Sequence, residues 1–364
     1  MATGVRGWAR RIAIGLDKLL PRPKATGGAF PRRPIERIVV FGRLPNPTVD
    51  YYLAARLGAP GMPASRLVDV RDPALATLPA EGTLVIVCRY ASRRLVAWIE
   101  RHASVLAGVA FFTDDDIGAV ITGSEARLGY RLFLWHRAVA PLRRLNRHVD
   151  VVWTSTPGLA RALADPRAVV LPPAPPAAHW RRDDVPALPE TGDGTVRILY
   201  HATAVHVREH RFLRPIVEAV LAARPQVRFE VTADAWAARL WAGLERVTVD
   251  APTPWEAYLA RTGRERADIV LVPMLRSRAN AARAGTKRID VVRLGAAGIF
   301  SASPAYGEAD GSGEIRLANR RRRWIEAILR LVDDPEARAA VAAASRALVE
   351  AASRSAEEGL PGMH

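Results

Sequence analysis

The chain has 364 residues, 49% apolar and 25% charged, which suits a globular protein of two or three domains and excludes disorder of the whole. No apolar run reaches the roughly 18–20 residues of a membrane span, and the single cysteine, Cys88, excludes an internal disulfide and suits a reducing, cytoplasmic setting. The 53 Lys and Arg against 37 Asp and Glu leave a net charge of +16 and point to anionic partners; with no zinc-finger spacing, RRM aromatic pattern or isolated helix-turn-helix, nucleic acid is not the partner expected.

Residues 1–34 read as a basic amphipathic segment and linker. Val5, Trp8, Ile12, Leu16 and Leu19 recur on one helical face, flanked by Arg6, Arg10, Arg11 and Lys18. The segment lacks the long apolar core and cleavage site of a signal peptide. A helix over Val5–Leu20 of this kind is expected to lie on an anionic membrane surface; the competing reading packs it on its own domain or on a partner. Pro21–Pro34 is a Pro/Gly/Arg linker.

Strand-like runs then alternate with helical segments. Arg37–Phe41 is followed by a helix over Asp50–Leu57, and Thr83–Cys88 by a helix around Arg93–His102. Val109–Thr113, Val149–Thr154 and Val169–Leu171 complete a first set, with Cys88 read as a buried strand residue. Pro172–Thr195 is Pro-rich, then acidic, and reads as a linker. The alternation restarts with strands at Val196–Tyr200, Val227–Val231, Val247–Val249, Ile269–Val272 and Ile299–Ser301. Helices are expected over Arg211–Ala223, from about Thr286, and over Arg321 to about Glu357. Continuous apolar strands between helices indicate parallel sheets buried on both faces. The fold class expected is α/β, with two doubly wound Rossmann-like domains facing a cleft. The ligand would lie at the carboxyl ends of the strands. The domains divide as 35–180 and 196–325, with a linker over 181–195 and C-terminal helices over 326–364.

Four segments carry candidate chemistry. In the Asp268–Glu308 stretch, Asn280, Arg283 and Lys287 have spacings of three and four, which would place two cations and an amide on one helix face near its positive end, suited to a diphosphate. A solvated basic loop is the plainer alternative. His206, Glu209 and His210 form an H-x-x-E-H string, the inverted zinc-peptidase motif. The alternatives are that His201, Thr203 and the helix start line a donor cleft, or that the string is a solvated helix face. Thr113-Asp114-Asp115-Asp116 ends a strand, where carboxylates can bind a cation, act as a base or cap a helix; Asp114 is the candidate base or acceptor ligand. Gly42–Thr48 is a Gly/Pro turn after the first strand, either a cleft edge or a plain turn capped by Thr48.

The pattern P-x6-N-x2-R-x3-K-x2-D-x4-G-x2-G, from Pro273 to Gly298, resembles the donor-binding region of bacterial GT-B glycosyltransferases, especially the large retaining nucleotide-sugar group. The restart at Val196 is similar to the first strand and loop of their donor domain. The resemblance implies a GT-B fold over roughly residues 35–350 and sugar transfer from a nucleotide-sugar donor with retention, without a required metal or other cofactor. It implies that Arg283 and Lys287 contact the donor diphosphate and Asp290 the ribose, and that the Gly42–Thr48 loop meets the acceptor; Tyr306 and Glu308, placed after the strand ending near Ser301, are expected to stand near the donor. The paired glutamates of that group, eight positions apart, correspond here to Ala282 and Asp290. A lipid-linked or surface-polysaccharide acceptor at the cytoplasmic membrane face is expected; an inactive binding or assembly subunit and a nucleotide-sugar epimerase are the alternatives.

Overall fold

The computed structural model describes residues 14–123, 126–181, 194–202 and 206–363. The N-terminal apolar positions Val5, Trp8 and Ile12 lie outside these residues, as does Thr203. Leu16 and Leu19, the described members of that face, are both exposed. Among the described residues no helix is long and apolar enough to cross a membrane.

The chain divides into two units. The first comprises the residues up to Ala174, with Ala281–Ala284 and the residues from Ser355. Its six strands are β1 (Arg37–Gly42), β2 (Ser65–Asp69), β3 (Thr83–Cys88), β4 (Gly108–Thr113), β5 (Val151–Thr154) and β6 (Val169–Val170), in the order β2-β1-β3-β4-β5-β6. Every pairing is parallel. β3 and β4 are buried along their whole length, Cys88 included, as continuous Val/Ile/Phe runs covered on both faces should be. β2 lacked a signal of that kind: as an edge strand it begins with the exposed Ser65, Arg66 and Leu67. Helix α1 (Pro47–Tyr52) is capped by Asn46, whose side chain accepts from the Thr48 and Val49 amides. Thr48 is therefore not the cap, and its hydroxyl is used elsewhere. Helix α2 (Arg93–His102) is capped by Ser92 and buries Leu95, Val96, Trp98 and Ile99. Helix α3 (Leu128–Leu134) runs into a π-turn at Trp135–Val139.

The second unit holds Pro175–Asn280 and Gly285–Arg354. Its strands are β7 (Val196–His201), β8 (Val227–Thr232), β9 (Val247–Asp250), β10 (Ile269–Val272), β11 (Ala297–Ser301) and β12 (Ile315–Leu317), in the order β12-β11-β10-β7-β8-β9, all parallel. The described helices that bear on the site are α4 (Val207–Ala223), α5 (Trp255–Arg264) and α6 (Lys287–Arg293). The tail is two helices, α7 (Arg321–Asp333) and α8 (Pro335–Arg354), not one. Pro335 forces the break, because its ring disfavours a helical Asp334 and it has no amide to donate. Trp324, Ile328 and Leu331 of α7 pack as one buried stripe against the Phe229, Ile299 and Leu213 core.

Each sheet reverses its order of winding once. In the first sheet the reversal lies between β1 and β3, and in the second between β7 and β10. The loops at the carboxyl ends of those strands diverge to opposite faces and leave a crevice, the usual ligand position of an open α/β sheet.

Candidate functional site

In the second unit, His201 is the last residue of β7, at the reversal. Its Nδ1 lies 3.1 Å from the Tyr258 hydroxyl of α5. Burial, then the nearby Lys287 ammonium, push the imidazole down to about 3, so it is neutral near pH 7. Burial also pushes the Tyr258 phenol up to about 12, reinforced by Asp290. The phenol thus keeps its proton and can donate to Nδ1.

Lys287 opens α6 with its ammonium 5.8 Å from the centre of the Tyr258 ring. Burial favours losing its proton, but the Asp290 carboxylate, whose Oδ2 is 3.1 Å away, outweighs that and holds the ammonium above its ordinary value. Asp290 is itself buried and its other oxygen accepts from Arg293 one turn on. Arg293 also donates to the Thr262 hydroxyl at 2.8 Å and the His179 carbonyl at 3.0 Å. Lys287 and Arg293 therefore share the Asp290 carboxylate beside a neutral imidazole, with Arg293 and Asp290 buried and the Lys287 side chain half-exposed.

Asn280 stands in a neighbouring cluster. Its Nδ2 donates to Glu209 Oε1 at 3.1 Å and to the Leu275 carbonyl at 2.8 Å, and the Leu275 amide donates to the same Glu209 oxygen at 3.1 Å. Glu209, buried in the first turn of α4, thus clamps the loop after β10. Burial alone would raise its carboxyl, but His206 and the Leu275 amide prevail and hold it below its ordinary value. The Trp241 indole donates to His210 Nδ1 at 3.0 Å. The H-x-x-E-H string therefore works as packing and loop anchorage, and among the described residues no group of three or more metal-ligating side chains is present.

The expected shared face of Asn280, Arg283 and Lys287 does not form. The short helix Arg278–Ala282 ends before Arg283, and α6 begins anew at Lys287. Gly285 sits in the break, where an added Cβ would stand 2.8 Å from the Ala305 carbonyl oxygen. Arg283 belongs to the first unit, where its Nε donates to Asp115 Oδ1 at 3.1 Å. Tyr306 packs as a core residue on Phe300, ring centres 4.7 Å apart, with the Arg288 guanidinium 5.4 Å from the Tyr306 ring centre. Glu308 is exposed and contributes its carbonyl to Arg316.

In the first unit, the carboxyl ends of β1, β3 and β4 gather a second charged cluster. Thr48 of α1 donates to Asp114 Oδ2 at 2.8 Å, and Arg89, just past β3, lies 3.1 Å from Asp114 Oδ1. Arg89 also donates to the Thr48 hydroxyl at 3.0 Å and to Asp115 and the Tyr90 hydroxyl at 3.1 Å each. It does so from φ 63°, a left-handed conformation that is strained for arginine. Burial raises the Asp114 carboxyl above its ordinary value against the opposing pull of Arg89, and burial followed by Asp114 raises the neighbouring Tyr52 phenol. Asp116 is the cap of the helix Ile117–Thr122, accepting from the Ala119 amide at 3.0 Å. The three aspartates thus divide: one caps a helix, and two face arginines. Sequence reasoning did not find Arg89, Tyr258 or Arg293. Arg293 carried a faint signal, three residues after Asp290 on one helix face; Tyr258 carried none, since it is more than fifty residues from His201.

The two parallel six-stranded sheets with flanking helices define the fold as that of the GT-B glycosyltransferases. No family model and no curated protein sequence matches the chain. Among solved structures it is similar to the α,α-trehalose-phosphate synthase (UDP-forming) of Burkholderia vietnamiensis, at 14% identity over 78% of this chain and 74% of that one, with a TM-score of 0.50. It is also similar to a Thermobaculum terrenum O-GlcNAc transferase mutant, at 14% identity over 96% and 71%, TM-score 0.50. A TarM structure aligns at 11% identity and a TM-score of 0.50 over 77% of this chain, which spans 54% of the length of that one. At these identities the likeness is one of fold.

Proposed function

We propose that this chain is a glycosyltransferase that takes a nucleotide-sugar on its second unit and passes the sugar to a glycan or lipid-linked acceptor, with retention and without a required metal. The observation that carries this reading is the network of half-exposed Lys287 with buried Asp290 and Arg293 beside neutral His201, at the strand ends where the second sheet reverses. A departing nucleotide diphosphate gains negative charge as the sugar bond breaks, and fixed cations in a poorly hydrated site stabilise that charge more in the transition state than in the ground state. Lys287 and Arg293 are the cations this reading assigns to the diphosphate, with Asp290, Asn280 and His201 shaping the nucleotide site. Arg283 acts through Asp115 on the first unit, next to Asp114, the candidate base or acceptor ligand. Part-buried, with its carboxyl raised by desolvation against the opposing pull of Arg89 and the Thr48 hydroxyl, Asp114 is the carboxylate this reading assigns to accepting a proton. Work at the cytoplasmic membrane face belongs to the same reading.

The test is a melting-temperature panel of UDP, GDP, ADP and their sugars, since a ligand that binds the native state alone raises the melting temperature. Product analysis with the matching donor follows, with and without acceptors. No shift with any nucleotide overturns the proposal, and conversion of donor alone to an epimeric sugar reassigns it to epimerisation. One observation favours an inactive binding subunit instead: Ala282 has no carboxylate and that of Asp290 is held by Lys287 and Arg293. Nucleotide binding without hydrolysis or transfer across an acceptor panel would establish that reading.

A further inference from the structure

Helix α3 and the π-turn after it carry two unlike faces. Leu128, Leu132 and Trp135, spaced by four and three, point outward; Leu128 is 72% and Leu132 52% exposed. A helix on a globular surface normally turns such a stripe inward. The adjoining side chains Phe133, His136 and Arg137 line an open pocket of about 630 Å³, lined also by Arg71, just past β2, and by Arg93 and Arg94 in the first turn of α2. The Ala91 amide donates to the Arg137 carbonyl at 2.8 Å and ties the two walls together. Arg71 is neutralised by Asp69, with contacts of 2.7 and 2.9 Å. Arg93, Arg94 and Arg137 meet no carboxylate among the described residues. Three guanidiniums with no carboxylate partner among the described residues thus ring an open pocket beside a strip of exposed hydrocarbon.

That combination has one natural complement. Guanidinium binds phosphate through paired hydrogen bonds, and exposed leucines with a tryptophan at their end suit the boundary between lipid headgroups and acyl chains. We propose that this face of the first unit docks an anionic phospholipid, with the headgroup phosphate in the arginine pocket and the hydrocarbon against Leu128, Leu132 and Trp135. The site is separate from the N-terminal segment and is not required by the sugar-transfer reading.

The test is cosedimentation of the full chain with vesicles of phosphatidylcholine alone and of phosphatidylcholine mixed with phosphatidylglycerol. The protein should bind the mixed vesicles. Arg93→Ala/Arg94→Ala/Arg137→Ala should weaken that binding roughly 100-fold, about fivefold for each surface arginine, and Leu128→Ser/Leu132→Ser should weaken it as well. Arg321→Ala/Arg322→Ala/Arg323→Ala, three exposed arginines at the start of α7, controls for bulk charge and should bind like the unaltered chain. The proposal is overturned if the unaltered chain ignores mixed vesicles, if the α7 control loses as much as the pocket variant, or if the pocket and leucine variants bind normally. Inorganic pyrophosphate titrated into the unaltered chain and the Arg93→Ala/Arg94→Ala/Arg137→Ala variant separates the sources: saturable binding that the variant loses, without any vesicle binding, assigns the pocket to a soluble phosphate and also overturns the lipid. Melting curves verify that each variant is folded, and nucleotide affinity of the unaltered chain, read separately, tests the sugar-transfer reading by itself.

Discussion

Replacing Lys287 by methionine removes the ammonium and keeps most of the side chain's volume. Asp290 is not orphaned by the change, because Arg293 still holds it, and Arg293 is itself fixed by Thr262 and the His179 carbonyl. The cost in stability is therefore bounded at about 1–3 kcal/mol, the range for a lost buried polar partner. A charge-assisted hydrogen bond to a diphosphate is worth about 1.5–3 kcal/mol, so nucleotide affinity should fall roughly 10- to 150-fold. Calorimetric titration with the nucleotide that most raises the melting temperature measures this directly, and Lys287→Arg should recover part of the loss. A folded Lys287→Met protein whose affinity stays within about twofold of the original would refute the assignment of the diphosphate to this network.

Three further outcomes follow from the geometry. The His201 imidazole, pushed down to about 3, stays neutral in the folded chain over a range where the unfolded chain takes a proton. Its contribution is present above pH 6.5 and is lost as pH falls from 6.5 toward 3, by up to about 1.4 kcal/mol per pH unit. His201→Gln should flatten the acid side of the stability profile in urea unfolding at pH 7 and pH 5, and an unchanged difference between the two would contradict the burial argument. Asp114→Asn should lower the transfer rate by about 100-fold or more while nucleotide affinity holds, if Asp114 is the base; equal turnover would remove it from the chemistry. Trp241→Phe strips the donor from buried His210 Nδ1 and should cost about 1–3 kcal/mol in denaturant unfolding, and an unshifted midpoint would show that the indole contact carries no net stability.

The two sheets were legible because their strands are buried on both faces and so appear as unbroken apolar runs; Thr83–Cys88 and Gly108–Thr113 are the clearest. β2 and β12 were not: β2 opens with the exposed Ser65, Arg66 and Leu67, and β12 is only three residues long. The helix phase of Asn280, Arg283 and Lys287 failed for a related reason: spacing assumes an unbroken helix, and Gly285 marks the break that the Ala/Gly-rich sequence conceals. Lys287 and Asp290 were visible as a local pair three residues apart. Their partners Tyr258, Thr262 and His201 come from segments brought in only by the crossing of β7 and α5, a tertiary event with no periodicity to announce it. Arg89 was hidden in another way, because a charged residue in a left-handed turn is indistinguishable in sequence from an ordinary surface arginine.

The carboxylate of Asp290 acts as a placeholder anion. In position between Lys287 and Arg293, it offsets the repulsion of the two cations. Under the proposed reading, nucleotide capture at Lys287 and Arg293 would exchange one anion for another, which would moderate the grip on the diphosphate and make it easier for the spent nucleotide to leave.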